Sequence, residues 1–345
     1  MAYTTIDKPS DYFNTKLYTG TGSSNAITGV GFQPDLTWIK SRSVAGAGHR
    51  WHDSVRGAGN MIASDSAAAE FDDSALFTSF DTDGFTVAGT GSSYNGSSST
   101  YASWNWLAGG TASSNTDGSI TSSVSANTTA GFSIVSYTGT GSAATVGHGL
   151  GATPAFVVYK KRSATGSWIV YHHKNTSAPE TDYLSLNSTN GTQDAATAWN
   201  DTAPTSSVFS VGTAGSGSSA TYIAYCFAEK KGYSKFGSYT GNGNADGTFV
   251  YTGFKPAFVL NKLISGTTAN WSIVDNKRDN NFNPNVRLFP DLSNAESSTD
   301  AVDLLSNGFK WRLTSDTNNG NYSYIYMAFA ENPFVTSTGI PTTAR

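Results

Sequence analysis

The chain has 345 residues and a formal net charge of −4, and its densest basic run is Lys160-Lys161-Arg162. Nucleic-acid binding needs a basic face that displaces counterions, so that class is set aside. Cys226 is the single cysteine, which excludes an internal disulfide and a thiolate-rich metal site, and an aromatic content of 13% excludes a disordered chain. The start, Met1 to Lys8, has no apolar core and does not read as a signal peptide, and no run approaches the roughly 18 apolar residues of a membrane span. Synthesis and folding are expected in cytoplasm.

Reading along the chain, three motifs recur in one order. The first is Tyr18-Thr19-Gly20-Thr21-Gly22, then Tyr137-Thr138-Gly139-Thr140-Gly141, then Tyr239-Thr240-Gly241-Asn242-Gly243. The second runs from Pro34 to Lys40, from Pro154 to Lys160 and from Pro256 to Lys262, with the same separation of Pro and Lys each time. The third is an aromatic run: Tyr101 to Trp106, Tyr222 to Phe227, Tyr324 to Phe329. Collinear motifs at matching offsets mean one unit present three times. The unit is too long for a solenoid repeat and suits a domain. The expected organisation is an N-terminal attachment segment at 1–16, repeats at 12–110, 118–230 and 231–334, and a tail at 335–345.

Within a repeat, β-branched and aromatic stretches alternate with Asn-Gly and Asp-Gly turn signals, as at Asp83-Gly84 and Asn307-Gly308. Six to eight short strands per repeat predict an all-β fold of three tandem antiparallel β-sandwich, jelly-roll-like modules, joined end to end, each with its own core. The linker Leu107 to Thr116 is expected to be looser than the join near Lys230. A helical turn is possible at Ser66 to Glu70. In the closing strand, Trp104 and Trp106 match Tyr225 and Phe227, and Met327 and Phe329, and are expected to face the core. The opposite face, Tyr322, Tyr324 and Tyr326, is expected to meet another chain.

Chemistry-bearing groups are sparse. His49, His52 and Asp53 have ligand-like proximity, but the other repeats carry no second ligand pair. Asp81-Thr82-Asp83-Gly84 opens like a calcium loop, yet position 92 is Ser where a closing Glu is required. Asp72 and Asp73 are adjacent, which in a strand sends them to opposite faces, so they do not form a glycosidase pair. Trp199 aligns with Leu76 and Val302 and reads as core rather than as a sugar platform. No catalytic residue, metal site or cofactor is expected, and the chain reads as non-enzymatic.

Three segments carry a resemblance: Tyr3-Thr4-Thr5-Ile6-Asp7-Lys8-Pro9-Ser10 with the Tyr-Thr-Gly-x-Gly motif, Trp104-Asn105-Trp106-Leu107-Ala108-Gly109-Gly110, and Gly253-Phe254-Lys255-Pro256-Ala257-Phe258-Val259-Leu260. They resemble a family of tandem modules in tail-fibre and other virion structural proteins of marine tailed bacteriophages, over essentially the whole chain. The resemblance implies a virion location, other virion proteins as partners, a homotrimer and a role in host attachment, with no catalytic residues. The shaft and anchoring domain of a long fibre are missing, so a short fibre, a fibre tip or a capsid-surface appendage fits. A capsid decoration protein and a polysaccharide depolymerase are the alternatives.

A receptor, such as a host cell-surface glycan, is expected on the loops before each closing strand, where the repeats differ. The candidate binding residues are Tyr94 and Asn95 in the first repeat and Asp316, Asn318 and Asn319 in the third. Their amide, carboxylate and phenol groups suit sugar hydroxyls.

Overall fold

A computed structural model describes residues 4–279, 286–298 and 302–333. The chain is all-β, with several antiparallel sheets, and among the described residues helix is confined to single turns at Pro9–Asp11 and Ala196–Trp199. Ser66 to Glu70, where a turn was possible, is not helical.

Register explains the repeated motifs. In each repeat the Tyr-Thr-Gly strand (Phe13–Thr19, Phe132–Thr138, Ser234–Thr240) pairs with the closing strand (Thr100–Trp106, Thr221–Phe227, Ser323–Pro333). The closing strand pairs with the Pro-to-Lys strand (Leu36–Ser41, Phe156–Lys161, Phe254–Leu263), which pairs with a fourth (Arg50–Asp53, Ile169–His172, Ser272–Asp275). Leu36, Phe156 and Phe258 sit opposite Trp106, Phe227 and Phe329. Each lies two residues past its proline, and of the three prolines only Pro256 is itself in a strand, opposite Ala330 at a register irregularity. In the second repeat these four strands are the centre of an eight-stranded sheet, and a smaller sheet of two or three strands accompanies each four-stranded core.

Separate end-to-end cores are not what the chain builds. One face of each four-stranded core packs locally against its small sheet, giving three local clusters. The other face enters a single cluster that draws Trp38, Trp104 and Trp106 from the first repeat, Phe156, Tyr225 and Phe227 from the second, and Phe258, Met327 and Phe329 from the third. The register-equivalent residues Trp106, Phe227 and Phe329 meet one another, with ring centroids 5.7–6.2 Å apart. The void among the surrounding side chains is about 10 Å³, no more than one water-sized probe. Ile6 and Phe13 belong to this cluster, so the described part of the expected attachment segment contributes to the core, while Thr5, Asp7, Lys8 and Asp11 stay exposed. The expected tail at 335–345 lies outside the described residues. The linker is also held: Asp35 accepts hydrogen bonds from the backbone N–H of Ala108 (2.8 Å) and Gly110 (3.2 Å).

The contacts between repeats have one polarity and close on themselves. Trp168 Nε1 of the second repeat donates to Ala63 O of the first at 2.8 Å. Trp271 of the third donates to Ser185 O of the second at 2.9 Å, and His49 of the first, at the same register position, donates to Phe289 O of the third at 2.9 Å. The motif lysines repeat the pattern: Lys160 reaches Ala67 O, Lys262 reaches Thr189 O, and Lys40 reaches Ser293 O. A directional contact made three times around a closed circuit is a ring, the intrachain counterpart of a cyclic trimer.

Buried charge ties two seams. Arg56 pairs with Asp53 and with Glu70 at 3.0 Å, Glu70 also holds Arg162, and Tyr225 donates to Asp53 at 2.7 Å. Arg278 pairs with Asp275 and with Glu296 at 2.9 Å, Glu296 holds Arg42, and Trp104 Nε1 donates to Asp275 at 3.1 Å. At the seam of the second and third repeats the equivalents are neutral: Thr192 Oγ1 donates to Asn175 Oδ1 at 2.7 Å, and His172 Nε2 bonds Tyr326 O at 3.1 Å.

Two predictions follow from this packing. Arg56→Met strands the buried Asp53 without its cation and leaves Glu70 only Arg162, and is expected to cost about 3–5 kcal/mol in denaturant unfolding, with one transition rather than three because the core is shared. The second concerns acid. Burial holds all five histidines below their ordinary range, His172 down to about 3. Between about 6.5 and 3 the unfolded chain binds protons that the folded chain refuses, so stability falls as pH falls through that window. Asp291, pushed up to about 6 by burial, and Asp35, also raised by burial, oppose this. The melting temperature is expected to drop steadily from pH 7 to pH 4 in scanning calorimetry, and less steeply in His172→Gln.

Candidate functional site

The tip loops at 89–99, 212–219 and 314–321 share one pedestal. The motif tyrosine stacks on the first tyrosine of the closing strand: Tyr18 on Tyr101, Tyr137 on Tyr222, Tyr239 on Tyr324, at 4.9, 5.2 and 4.9 Å. Both hydroxyls serve the loop backbone. Tyr18, Tyr137 and Tyr239 donate to Tyr94 O, Gly215 O and Thr317 O at 2.7–2.9 Å. Tyr101, Tyr222 and Tyr324 donate to Ser92 O, Ala214 O and Asp316 O, and accept from the N–H of Gly96, Gly217 and Asn319.

The motif glycines let the loop come close. A Cβ on Gly20, Gly139 or Gly241 would lie 2.2–2.4 Å from a loop carbonyl oxygen, a distance no side chain accommodates. The N–H of Gly22, Gly141 and Gly243 donates to the carbonyls of Asn95, Ser216 and Asn318 at 2.7–2.9 Å.

This geometry corrects most of the expected binding residues. Asn95 and Asn318 are fully buried at one equivalent position, accepting on their side-chain oxygens the N–H of Thr21 (2.9 Å) and Asn242 (3.1 Å). Tyr94 is fully buried as well, its hydroxyl donating to Asp73 at 2.6 Å and lying 2.8 Å from His52 Nε2. These polar groups staple the loop from within. Asn319 is half-buried, and Asp316 is exposed and pairs with Arg287 at 3.0 Å. Of the five, only Asp316 presents its side chain openly to solvent.

The remaining candidates are also placed in the fold. His49, His52 and Asp53 are buried in separate hydrogen-bond partnerships, and among the described residues no group of three His, Cys, Asp or Glu could hold a metal ion. Asp83 accepts the N–H of Gly29 and Gly31 at 2.8 and 2.7 Å, a turn rather than an ion loop. Trp199 is buried against Tyr159 at 5.1 Å. The tyrosine stripe assigned to an interchain contact lies inside: Tyr324 and Tyr326 are buried in the third repeat's own cluster, and Tyr322 packs on it. Alternation misled because the closing strand is covered on both faces.

Two surfaces were not expected. A groove of about 630 Å³ runs along the seam of the second and third repeats, beside His173, Lys174, Glu229 and Lys235. On the edge strand Phe249–Tyr251, Phe249 and Tyr251 are 43% and 58% exposed. Their register equivalents are Ala26 and Thr28 in the first repeat and Thr145 and Gly147 in the second. A position-by-position comparison of the repeats carries this signal, because only the third places aromatics there.

Residues 8–333 match a family described as a domain of unknown function, DUF7483. The chain belongs to that family. No curated protein matches it significantly. The family match spans all three repeats, in keeping with the shared core. Among the described residues no helix is long and apolar enough to cross a membrane.

The corrected roles are separable by mutation. Asn318→Ala removes an amide whose nitrogen lies within 2.9 Å of three oxygens, and is expected to cost about 2 kcal/mol or more of unfolding free energy. Asp316→Asn, which tolerates the same left-handed backbone (φ 52°), is expected to cost under about 1 kcal/mol. Chemical denaturation of the two variants side by side measures the contrast.

Proposed function

We propose that the chain is a non-enzymatic structural protein of a tailed-phage virion: three β-sandwich repeats displayed as a short fibre, a fibre tip or a surface appendage that contributes to host attachment. The resemblance of its motifs to virion modules motivates the setting. One structural observation supports the display role. What the repeats have in common is used to build scaffold: the tyrosine pair and glycines clamp the tip loop, the lysine crosses the seam, and the closing aromatic forms the ring centre. What the third repeat has alone is exposed, the Phe249 and Tyr251 pair on an outer edge, flanked by the Lys310–Asp246 ion pair. Exposed aromatics beside polar groups are common where a surface meets a partner. A host-surface glycan is the partner this reading assigns. The homotrimer implied by the resemblance draws no support from Tyr322, Tyr324 and Tyr326.

A capsid decoration protein would use the same scaffold, and imaging virions that carry a labelled copy distinguishes the two by position. For attachment, Phe249→Ser with Tyr251→Ser is expected to shift stability by no more than about 0.5 kcal/mol, because both side chains are exposed, and to reduce adsorption of virions to host cells. Unchanged adsorption by normally assembled particles would sink the role of this edge.

A further inference from the structure

Beneath the third repeat's tip loop lies a cavity of about 230 Å³, and the other two repeats have filled it. Three register positions decide this. In the first repeat they hold Ile39, Met61 and Tyr94, all packed in the local apolar cluster. In the second they hold Tyr159, Tyr183 and Gly215, and the Tyr159 ring occupies the space beside the glycine, where a Cβ would lie 3.0 Å from it. In the third they hold Asn261, Arg287 and Thr317, none of them in the cluster and all lining the cavity.

Substituting polar groups for packed apolar ones at three joined positions is destabilising unless something occupies the space. Asn261 and Thr317 are 2% and 3% exposed, and Asn261 Oδ1 and Thr317 Oγ1 have no hydrogen-bond partner among the described residues. The Asn261 amide nitrogen is used, donating to Tyr239 Oη at 3.2 Å, and the two orphaned oxygens lie behind the cavity wall without open surface. Buried polar atoms of a native protein are nearly always satisfied, and a rotation about the terminal side-chain bond would bring either oxygen to a polar occupant of the cavity. Asp316 and Thr268 lie exposed at the mouth.

We propose that this cavity binds one neutral sugar ring. The volume equals roughly seven or eight waters, about that of a single pyranose with its hydroxyls. On binding, a side-chain rotation turns Asn261 Oδ1 to accept from a hydroxyl and Thr317 Oγ1 to donate or accept. The charge is already balanced, because Arg287 pairs with Asp316 at 3.0 Å, so an uncharged ligand enters without displacing an ion pair. Leu263 and the Phe289 ring, which lies 5.0 Å from the Arg287 guanidinium, supply apolar surface for the C–H face of the sugar. The site deepens the reading of the third repeat as the binding end, and rests on that reading for its role but not for its existence.

The test is saturation-transfer NMR and calorimetric titration of the purified chain with methyl glucoside, methyl galactoside and N-acetylglucosamine, with glucuronate as the anionic comparison. At least one neutral sugar is expected to bind at one site per chain. Asn261→Ile with Thr317→Tyr reinstates the pair found in the first repeat and is expected to weaken binding by roughly tenfold or more while raising the melting temperature. If that double variant does not fold, Asn261→Leu alone is measured, with the same loss of binding expected. No binding of any neutral sugar to the wild type, binding of glucuronate alone, or binding that survives filling of the cavity overturns the proposal. Adsorption that still depends on Phe249 and Tyr251 in that case leaves the attachment reading standing. Sugar binding by a chain that imaging does not find on virions leaves the cavity site standing and removes the virion assignment.

Discussion

The contact of Trp106, Phe227 and Phe329 at the centre of the chain is the constraint on which the rest of the structure depends. Each ring comes from the same position of a different repeat. To meet, the three closing strands must each turn one face inward, and each four-stranded sheet then becomes a layer between a local cluster and the shared one. Core packing at near-crystalline density leaves such a centre little freedom to slide. The repeats are therefore neighbours around a point and not beads on a line.

The ring also explains an unusual demand on buried polar groups. Every seam must be crossed by the same elements with the same polarity, so a donor suited to one seam is suited to all. The motif lysines show this, being fully buried at the Nζ end against carbonyl oxygens of the preceding repeat; burial depresses their affinity for the proton, to about 8 in each case. Where the seam is charged, Arg56 and Arg278 each bridge two carboxylates. Where Asn175 and Thr192 take those places, the seam keeps its hydrogen bond without the charges. A ring of near-identical interfaces thus tolerates different chemistry at one joint, provided each buried group still finds a partner.

Away from the centre the repeats diverge. The tyrosine pedestal lets them, because it holds each loop through backbone carbonyls and N–H groups and so places no demand on most loop side chains. The third repeat uses that freedom most. It exposes aromatics on an outer edge and exchanges three packed side chains for polar ones around a cavity. The same backbone carries a filled core in two repeats and a lined hollow in the third.

By itself the sequence determined the all-β class and the threefold recurrence of its motifs. Those follow from local spacing: Tyr-Thr-Gly-x-Gly, Pro to Lys and the closing aromatics recur at fixed separations, and strand pairing preserves separations. It also identified Trp104, Trp106, Tyr225, Phe227, Met327 and Phe329 as core. Which core they enter was decided only by tertiary structure, because alternation reports that a face is covered and not by what. The same limit placed Tyr324 and Tyr326 outside and Tyr94, Asn95 and Asn318 on the surface. A polar or amphipathic side chain in a Gly- and Ser-rich loop has the same local signature whether it meets solvent or backbone carbonyls. Only the approach of Gly20, Gly139 and Gly241 to the loop, set by the stacked tyrosines, turned those groups inward.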